Sequence, residues 1–253
     1  MKTVVFSILA IAGFTFLFSC KNNAKNSGEA QTVVADTIQK KTIPEFKYVT
    51  AVSGLTLREQ PNLQSNKLTV MPLGSKVNVL NGDTKNTMHV GGIDGAMDEI
   101  EYNGQKGFAF NGFLSRFLPP GEAVSAKNYA EALKKEFPKV AFSEATGGTV
   151  SKPTKTETLI LPTEKWHVGF FTAQQLFNIP RVFAFPNPKG ANNETQQNST
   201  KKKADYISEL QISRNNNTLQ KIEYRYKTEG FGSTVTITKE SGGMKLEKVE
   251  FAD

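Results

Sequence analysis

Cysteine, histidine and tryptophan are scarce in this sequence. Its 253 residues include one cysteine, two histidines and one tryptophan. A single cysteine cannot form an internal disulfide, so no disulfide framework holds the fold together. That cysteine, Cys20, lies near the N-terminus and outside the segments that are predicted to fold. A cysteine peptidase activity is therefore excluded for those segments, because the nucleophile is missing.

The scarcity of histidine also limits metal chemistry. A zinc site needs several histidine or cysteine ligands, and neither His89 nor His167 has a partner at ligand spacing. Neither histidine accompanies a nucleophile motif, so we predict no catalytic residue, no metal and no cofactor. An acidic cluster does not follow the spacing of a calcium loop, and we expect its carboxylates to be solvated. The cluster consists of Asp94, Asp98, Glu99 and Glu101.

No segment carries a dense charge of one sign. The chain has 31 lysines and arginines against 24 aspartates and glutamates, a formal net charge of +7, and the excess is spread along its length. Proteins that bind nucleic acid usually concentrate their basic residues on one face or segment. We therefore expect no nucleic acid among the partners.

An apolar run long enough to span a bilayer as a helix is missing too. The run from Val4 to Phe18 has about fifteen residues, whereas a spanning helix needs about twenty. Lys2 supplies the short positive segment of a secretory signal. Leu17-Phe18-Ser19-Cys20 ends the run and matches the bacterial lipobox. The N-terminus thus resembles lipoprotein signal peptides.

This resemblance implies cleavage before Cys20 and acylation of its thiol. Residues 1–19 are then the lipoprotein signal peptide, and Cys20 is the lipid attachment residue. The membrane is a partner through the acylated Cys20, and we expect the protein in the bacterial cell envelope, outside the cytoplasm. An ordinary signal peptide or an uncleaved anchor is the alternative.

Residues 20–45 are mainly Asn, Lys, Thr, Ala and Gln. Such residues bury too little apolar surface to offset the entropy lost on ordering them. We predict a flexible tether between the anchor and the first folded unit. A strand near Val33 and Val34 is the alternative.

Residues 46–118 are predicted to form a small all-β unit. Short alternating runs are separated by Gly, Pro and Asn, and Asn103-Gly104 favours a two-residue hairpin turn. Gly54-Leu55-Thr56-Leu57-Arg58 followed by Pro61 begins the unit. A hairpin with Gly104, Gly107 and Phe108, then Phe113-Leu114, ends it.

The order of these motifs resembles the bacterial SH3-like (SH3b) domain. The resemblance implies a small β-barrel that holds a peptidoglycan peptide or an envelope protein as its ligand. Met97 stands where the family usually places Trp, and residues 81–96 form a longer, glycine-rich loop that could cover the groove. Met offers a flexible apolar contact without a donor, so we expect weak binding by this unit alone. The predicted ligand-binding residues are Arg58, Met97, Tyr102, Phe108 and Phe113.

Residues 119–253 are predicted to form an α+β domain with two helices. Ser125 is placed to cap a helix that runs to about Phe137, and Thr172 with Gln175 has the spacing of a second capping box. Residues 187–203 are polar and predicted to be a mobile loop.

The last fifty residues alternate between apolar and polar side chains in four runs. They predict an antiparallel four-strand meander, with a bulge or a sheet edge where Leu246 and Val249 break the alternation. The fold class is therefore mainly β: an SH3-like barrel followed by an α+β domain.

Two functions fit these features. We expect an envelope binding protein whose SH3-like unit contacts a cell-wall or protein ligand. The alternative is an envelope hydrolase with its active site in residues 121–253 and the barrel as a targeting module. A cluster of His167 with carboxylates in one deep pocket would favour the hydrolase.

Overall fold

Strands dominate the fold. The computed structural model describes residues 45–83, 85, 87–204 and 206–252. Strands make up 50% of the structure and helices 11%, which confirms a mainly β class with antiparallel sheets and two helices. Residues 1–44, with the predicted signal peptide, Cys20 and all but the last residue of the predicted tether, lie outside the described residues.

The first sheet is built from residues 45–115. The strands of this region are β1 Glu45–Val49, β2 Leu55–Arg58, β3 Lys67–Met71, β4 Lys76–Asn81, β5 Met88–Val90, β6 Ile93–Gly95, β7 Met97–Tyr102, β8 Gln105–Phe110 and β9 Leu114–Ser115. Seven of them form the sheet, in the order β3-β2-β8-β7-β4-β1-β9, and β5 and β6 form a separate hairpin. A 3-10 turn at Asn111–Phe113 precedes β9.

Asn103-Gly104 forms the predicted hairpin turn between β7 and β8. Both residues have positive φ, 50° and 78°, and Tyr102 pairs with Gln105 across the turn. Buried Leu55 and Leu57 alternate with half-exposed Thr56 and Arg58 along β2, as the sequence pattern predicts. The identity of this sheet as an SH3-like barrel stays a prediction.

The expected long loop at residues 81–96 is instead largely a hairpin. Strands β5 and β6 pair across Gly91 and Gly92, and Ile93 is 1% exposed. Glycine is needed at the tip because a Cβ on Gly92, where φ is +78°, would lie 3.3 Å from the Phe185 carbonyl oxygen. The expectation of a loop did not take into account that apolar residues of this segment, such as Ile93, pack the hairpin against the rest of the fold.

The expectation that the acidic cluster is solvated is wrong for Asp98. This carboxylate is fully buried at 0% exposure. Its oxygens accept hydrogen bonds from Asn111 Nδ2 at 2.8 Å and the Asp83 backbone N–H at 3.0 Å, and it forms an ion pair with Lys47 at 3.2 Å. These bonds compensate the charge and hold the base of the β5-β6 hairpin against the first sheet.

The second sheet is built from residues 141–252. The strands and helices of this region are α1 Ala126–Lys134, β10 Ala141–Gly148, β11 Pro153–Leu161, α2 Trp166–Leu176, β12 Asn193–Gln197, β13 Ile207–Asn215, β14 Thr218–Thr228, β15 Phe231–Glu240 and β16 Gly243–Ala252. The seven strands follow the order β10-β11-β16-β15-β14-β13-β12, and the predicted meander is the β13 to β16 portion.

The irregularity predicted between Leu246 and Val249 is wrong. Strand β16 lies between β11 and β15, and its pairing with both neighbours is unbroken through these residues. The register shifts instead in β13, between Ser213 and Arg214. A polar residue on an inner strand, rather than a bulge, breaks the alternation in β16.

The predicted loop at residues 187–203 contains strand β12. Its five residues pair with β13 from Asn193↔Ser213 to Gln197↔Glu209. An edge strand can keep its side chains in water while its backbone pairs on one side, so a polar composition did not reveal it. The expectation of a mobile loop is wrong for Asn193–Gln197.

The first helix confirms its predicted cap and the second does not. Ser125 Oγ accepts a hydrogen bond from the Asn128 backbone N–H at 3.2 Å and caps α1. Helix α2 begins at Trp166, so Thr172 lies in its buried interior rather than at a cap. Gly169 allows the helix to pack closely on the second sheet, because a Cβ there would already lie 3.3 Å from Met244 and Leu246.

The two sheets share one hydrophobic core. All described residues belong to one compact unit, Ile43–Asp253, and buried side chains from both sides of the predicted boundary at residue 118 form one hydrophobic cluster. Helix α2 packs on β15 and β16, and its Phe171 ring meets Phe113 of the first sheet region. Among the described residues, neither helix has the length and apolar composition needed to cross a bilayer.

Candidate functional site

A cleft of about 490 Å³ opens where the first sheet meets the α2 region. We call it the aromatic cleft. One wall comes from the first sheet: the 51–56 segment with Arg58, Met97 and Phe113. The opposite wall comes from α2 and the chain after it: Phe171, Gln174, Arg181 and Phe183.

Arg58 lies at the end of β2, where the pairing with β3 shifts register. Its side chain donates one hydrogen bond, from Nη1 to the Ser65 carbonyl oxygen at 2.8 Å, which fixes the guanidinium beside the 59–66 turn. A guanidinium has five N–H donors, so most of those on Arg58 remain for a ligand. The turn itself is closed by the Ser65 hydroxyl, which accepts from the Gln60 backbone N–H at 2.8 Å.

The floor of the aromatic cleft is apolar and tightly packed. Met97 is 8% exposed and pairs with Phe110 across β7 and β8. The Phe113 ring lies 5.8 Å from Phe110 and 6.0 Å from Phe171, at angles of 68° and 33°. Aromatic pairs at such distances are mutually stabilising, so the rings hold each other in place.

Gly95 lets the Phe110 ring occupy this floor. A Cβ on Gly95 would lie 2.8 Å from Phe110 Cε2 and 2.6 Å from Asn111 Oδ1, which leaves no room for a larger residue. Asn111 in turn accepts from the Ala96 backbone N–H at 3.0 Å. The ring under the cleft is therefore positioned by close backbone approach as well as by packing.

Gln174 fastens the second wall. This side chain is 8% exposed, and its Nε2 donates to the carbonyl oxygens of Pro180 at 3.2 Å and Phe183 at 3.0 Å. Helix α2 ends at Leu176, and two residues later Asn178, with a φ of 57°, begins the turn that leads to the Gln174 contacts. The exposed Arg181 side chain lies on this turn, with no hydrogen bond or ion pair to the described residues.

Charge in the aromatic cleft is one-sided. Arg58 and Arg181 line it, and no carboxylate does among the described residues. Two guanidinium groups beside aromatic rings suit a ligand with an apolar part and an anionic group, since guanidinium binds carboxylate and phosphate with paired hydrogen bonds.

Three of the five residues predicted to bind a ligand lie in the aromatic cleft: Arg58, Met97 and Phe113. Tyr102 and Phe108 do not line it; both are partly buried against the core along the β7-β8 hairpin. Sequence reasoning missed Phe171, Arg181 and Phe183, which are more than fifty residues from the others along the chain. No local motif marks them.

His167 lies in the first turn of α2 and is 9% exposed. Its ring meets Phe185 at 5.9 Å, and its buried Nε2 has no hydrogen-bond partner. Burial, together with the charge of Lys165, lowers the pKa of His167 to about 4. The grouping of His167 with carboxylates that would favour the hydrolase is not found among the described residues.

His89 pairs with Asp94 across the β5-β6 hairpin, Nδ1 to Oδ1, at 2.6 Å. Both side chains are about half exposed, at 49% and 59%. No group of three or more His, Cys, Asp or Glu in the described part of the chain is placed to hold a metal ion.

Known proteins offer no guide to this site. Comparison with protein-family models, with curated proteins and with solved structures finds no match to this chain.

The buried His167 predicts a loss of stability in mild acid. The pKa is 6.5 in the unfolded chain and about 4 in the folded one, so the unfolded state binds more protons between these values. The free energy of unfolding therefore falls as pH drops from about 6.5 toward 4, by about 3 kcal/mol in total from this group. His167→Phe, which stays neutral, should remove this contribution.

Urea unfolding at several pH values between 7 and about 4 tests this, with the wild type and His167→Phe compared at each value. His89→Gln, which removes an exposed histidine, serves as the control and should keep the acid loss. Parallel pH profiles for the wild type and His167→Phe would show that His167 is not held neutral by burial.

Proposed function

We propose that this chain is a lipid-anchored binding protein of the bacterial cell envelope and that the aromatic cleft is its ligand site. The observation that carries the proposal is the pair of arginines, Arg58 and Arg181, with unused donors beside the rings of Phe113, Phe171 and Phe183. Binding sites of this kind combine an apolar lining with a few polar groups that fix orientation.

The ligand class is a peptide with a free carboxylate, taken from peptidoglycan or from an envelope protein. Small apolar side chains can pack on the floor made by Met97 and Phe113, and a carboxylate can pair with the guanidinium group of either wall, Arg58 or Arg181. A cleft of about 490 Å³ accommodates a few residues of such a peptide.

The second wall of the aromatic cleft supplies aromatic surface in place of the Trp that SH3b domains usually carry at the position of Met97. Met97 is nearly buried and offers little surface for stacking. Phe171, half buried and 6.0 Å from Phe113, extends the aromatic surface from the other side of the cleft. Support for an SH3-like first unit and for acylation at Cys20 comes from the sequence motifs, and both are parts of this proposal.

Sedimentation with isolated peptidoglycan tests the ligand site. Arg181→Glu should weaken binding by at least about tenfold, because a charge-assisted hydrogen bond contributes roughly 1.5–3 kcal/mol. Lys189→Glu makes the same charge change at an exposed position outside the cleft and should bind like the wild type.

Soluble peptidoglycan peptides extend the test to the carboxylate. Amidation of the peptide carboxylates should weaken wild-type binding as much as Arg181→Glu does, and the two changes together should add little. Equal binding of the wild type, Arg181→Glu and Lys189→Glu would contradict the assignment of the ligand site.

A further inference from the structure

A second cleft, of about 920 Å³, lies on the side of the fold where β1 begins. We call it the basic cleft, after the four cationic side chains that line it: Lys47, Arg116, Lys139 and Lys165. Two carboxylates also line it, those of Glu45 and Glu164. Glu164 is paired with Lys239 at 2.9 Å, and Lys239 is not part of the lining, so positive charge is in excess within the cleft.

Among the described residues, two of these cations have no carboxylate within ion-pair distance. Lys139 and Lys165 form no ion pair with the described residues, whereas Lys47 pairs with Asp98. The Arg116 guanidinium is held in place by the Phe117 and Phe137 rings at 4.9 Å and 5.2 Å and donates to the Pro162 carbonyl oxygen. The site is thus partly prearranged and retains free ammonium groups.

Helix α2 adds to the positive field. It begins at the basic cleft, since Thr163, Glu164, Lys165 and Val168 all line it. No side chain caps this N-terminus, and its first turn contains no acidic residue. Burial, then the neighbouring charge of Lys47, lowers the pKa of Lys165, and the charges of Asp98 and Glu45 offset only part of this effect. A bound anion would favour the charged form of Lys165.

The position of the basic cleft indicates which anion it meets. Glu45, the first described residue of the fold, lines the cleft, and only residues 21–44 separate it from Cys20. A chain of that length spans at most about 90 Å when fully extended. An anchor at Cys20 therefore keeps the cleft within about 90 Å of the phospholipid surface, and the cleft lies where the tether joins the fold.

We propose that the basic cleft binds the phosphate of an anionic phospholipid headgroup and docks the folded unit on the membrane that holds its anchor. The inference rests on the proposed acylation of Cys20 for its source of ligand. Lys139 and Lys165 contact the headgroup phosphate, while Arg116 and the α2 N-terminus add to the attraction. Docking limits the directions in which the aromatic cleft can face.

Co-sedimentation with vesicles tests this without the anchor. The chain from Lys21 to Asp253 keeps the whole compact unit Ile43–Asp253 and carries no acyl group. It should bind vesicles of phosphatidylcholine mixed with phosphatidylglycerol and should not bind phosphatidylcholine alone. The double variant Lys139→Gln/Lys165→Gln should bind the anionic vesicles about tenfold more weakly or worse, as each lysine near an anionic surface contributes substantially.

Lys201→Gln/Lys203→Gln is the matched control, because it removes the same charge from exposed positions outside the basic cleft. It should bind nearly as well as the wild type. Equal weakening by both pairs, no preference for anionic vesicles, or saturable binding of inorganic phosphate without vesicle binding would overturn the proposal. Acylation is read separately, from the mass of the membrane-extracted protein, so either proposal can fail alone.

Discussion

Cys20→Ser is expected to move the protein from the membrane fraction to the soluble fraction, or to leave it unprocessed. Leu17-Phe18-Ser19-Cys20 ends the apolar run of the signal segment, and the cysteine thiol is the group that would carry the lipid. Each buried methylene of an acyl chain contributes about 0.8 kcal/mol to membrane binding, so losing the acyl chains leaves only the weaker, reversible attraction of the basic cleft.

Intact-mass measurement of the membrane-extracted protein checks the modification directly. The expected mass is that of the chain from Cys20 plus its acyl groups. Asn22→Ala, which keeps the thiol, should remain acylated and membrane-bound. A mature protein that begins elsewhere and fractionates as soluble would disprove the lipid anchor.

Arg214→Ala is expected to destabilise the fold by about 2–4 kcal/mol, because it leaves the carbonyl oxygens of Asn187 and Ala191 without their donor. The Arg214 side chain is 1% exposed and forms an ion pair with Glu194 at 2.9 Å. It also donates from Nε and Nη2 to the Asn187 carbonyl oxygen, at 3.0 Å and 2.7 Å, and from Nη1 to Ala191 at 2.9 Å. One side chain thus holds the segment that leads into β12.

Arg214→Lys should recover little of this stability, since one ammonium cannot reach the set of acceptors that a planar guanidinium spans. Arg225→Ala is the control on the next strand. Its ion pair with Glu209, at 3.6 Å and 44% exposure, should be worth less than about 1 kcal/mol. Urea unfolding measures all three, and an Arg214→Ala loss no larger than that of Arg225→Ala would contradict a structural role for this network.

Much of the mainly β fold could be predicted, because apolar and polar residues alternate along the strands of a sheet that buries one face. Leu210, Ile212, Ile222 and Ile237 are almost fully buried in the meander, in step with their spacing of two. Helix α2 gave no comparable signal. It is buried on most of its sides, from His167 to Gln174, so it has no apolar stripe of helical period.

Only one wall of the aromatic cleft could be predicted from the sequence. Arg58, Met97 and Phe113 could be found because they follow the motifs of one local unit. Arg181 and Phe183 line the aromatic cleft on the chain after α2, which hydrogen bonds from Gln174 hold in place. Such a contact depends on tertiary packing between distant segments, which neither periodicity nor spacing encodes.

The most direct measurement of the central claim is a titration of the isotope-labelled chain from Lys21 to Asp253 with a soluble peptidoglycan peptide, followed by NMR. We expect saturable shifts confined to the aromatic cleft, including the Met97 methyl, the Phe113 and Phe171 rings and the Arg58 and Arg181 side chains. The same titration of Arg181→Glu should show much smaller shifts at the same residues. Saturable shifts located elsewhere on the fold would contradict the assignment of this cleft as the ligand site. The assignment would also be contradicted if neither this peptide nor other carboxylate-bearing peptides caused shifts at any concentration.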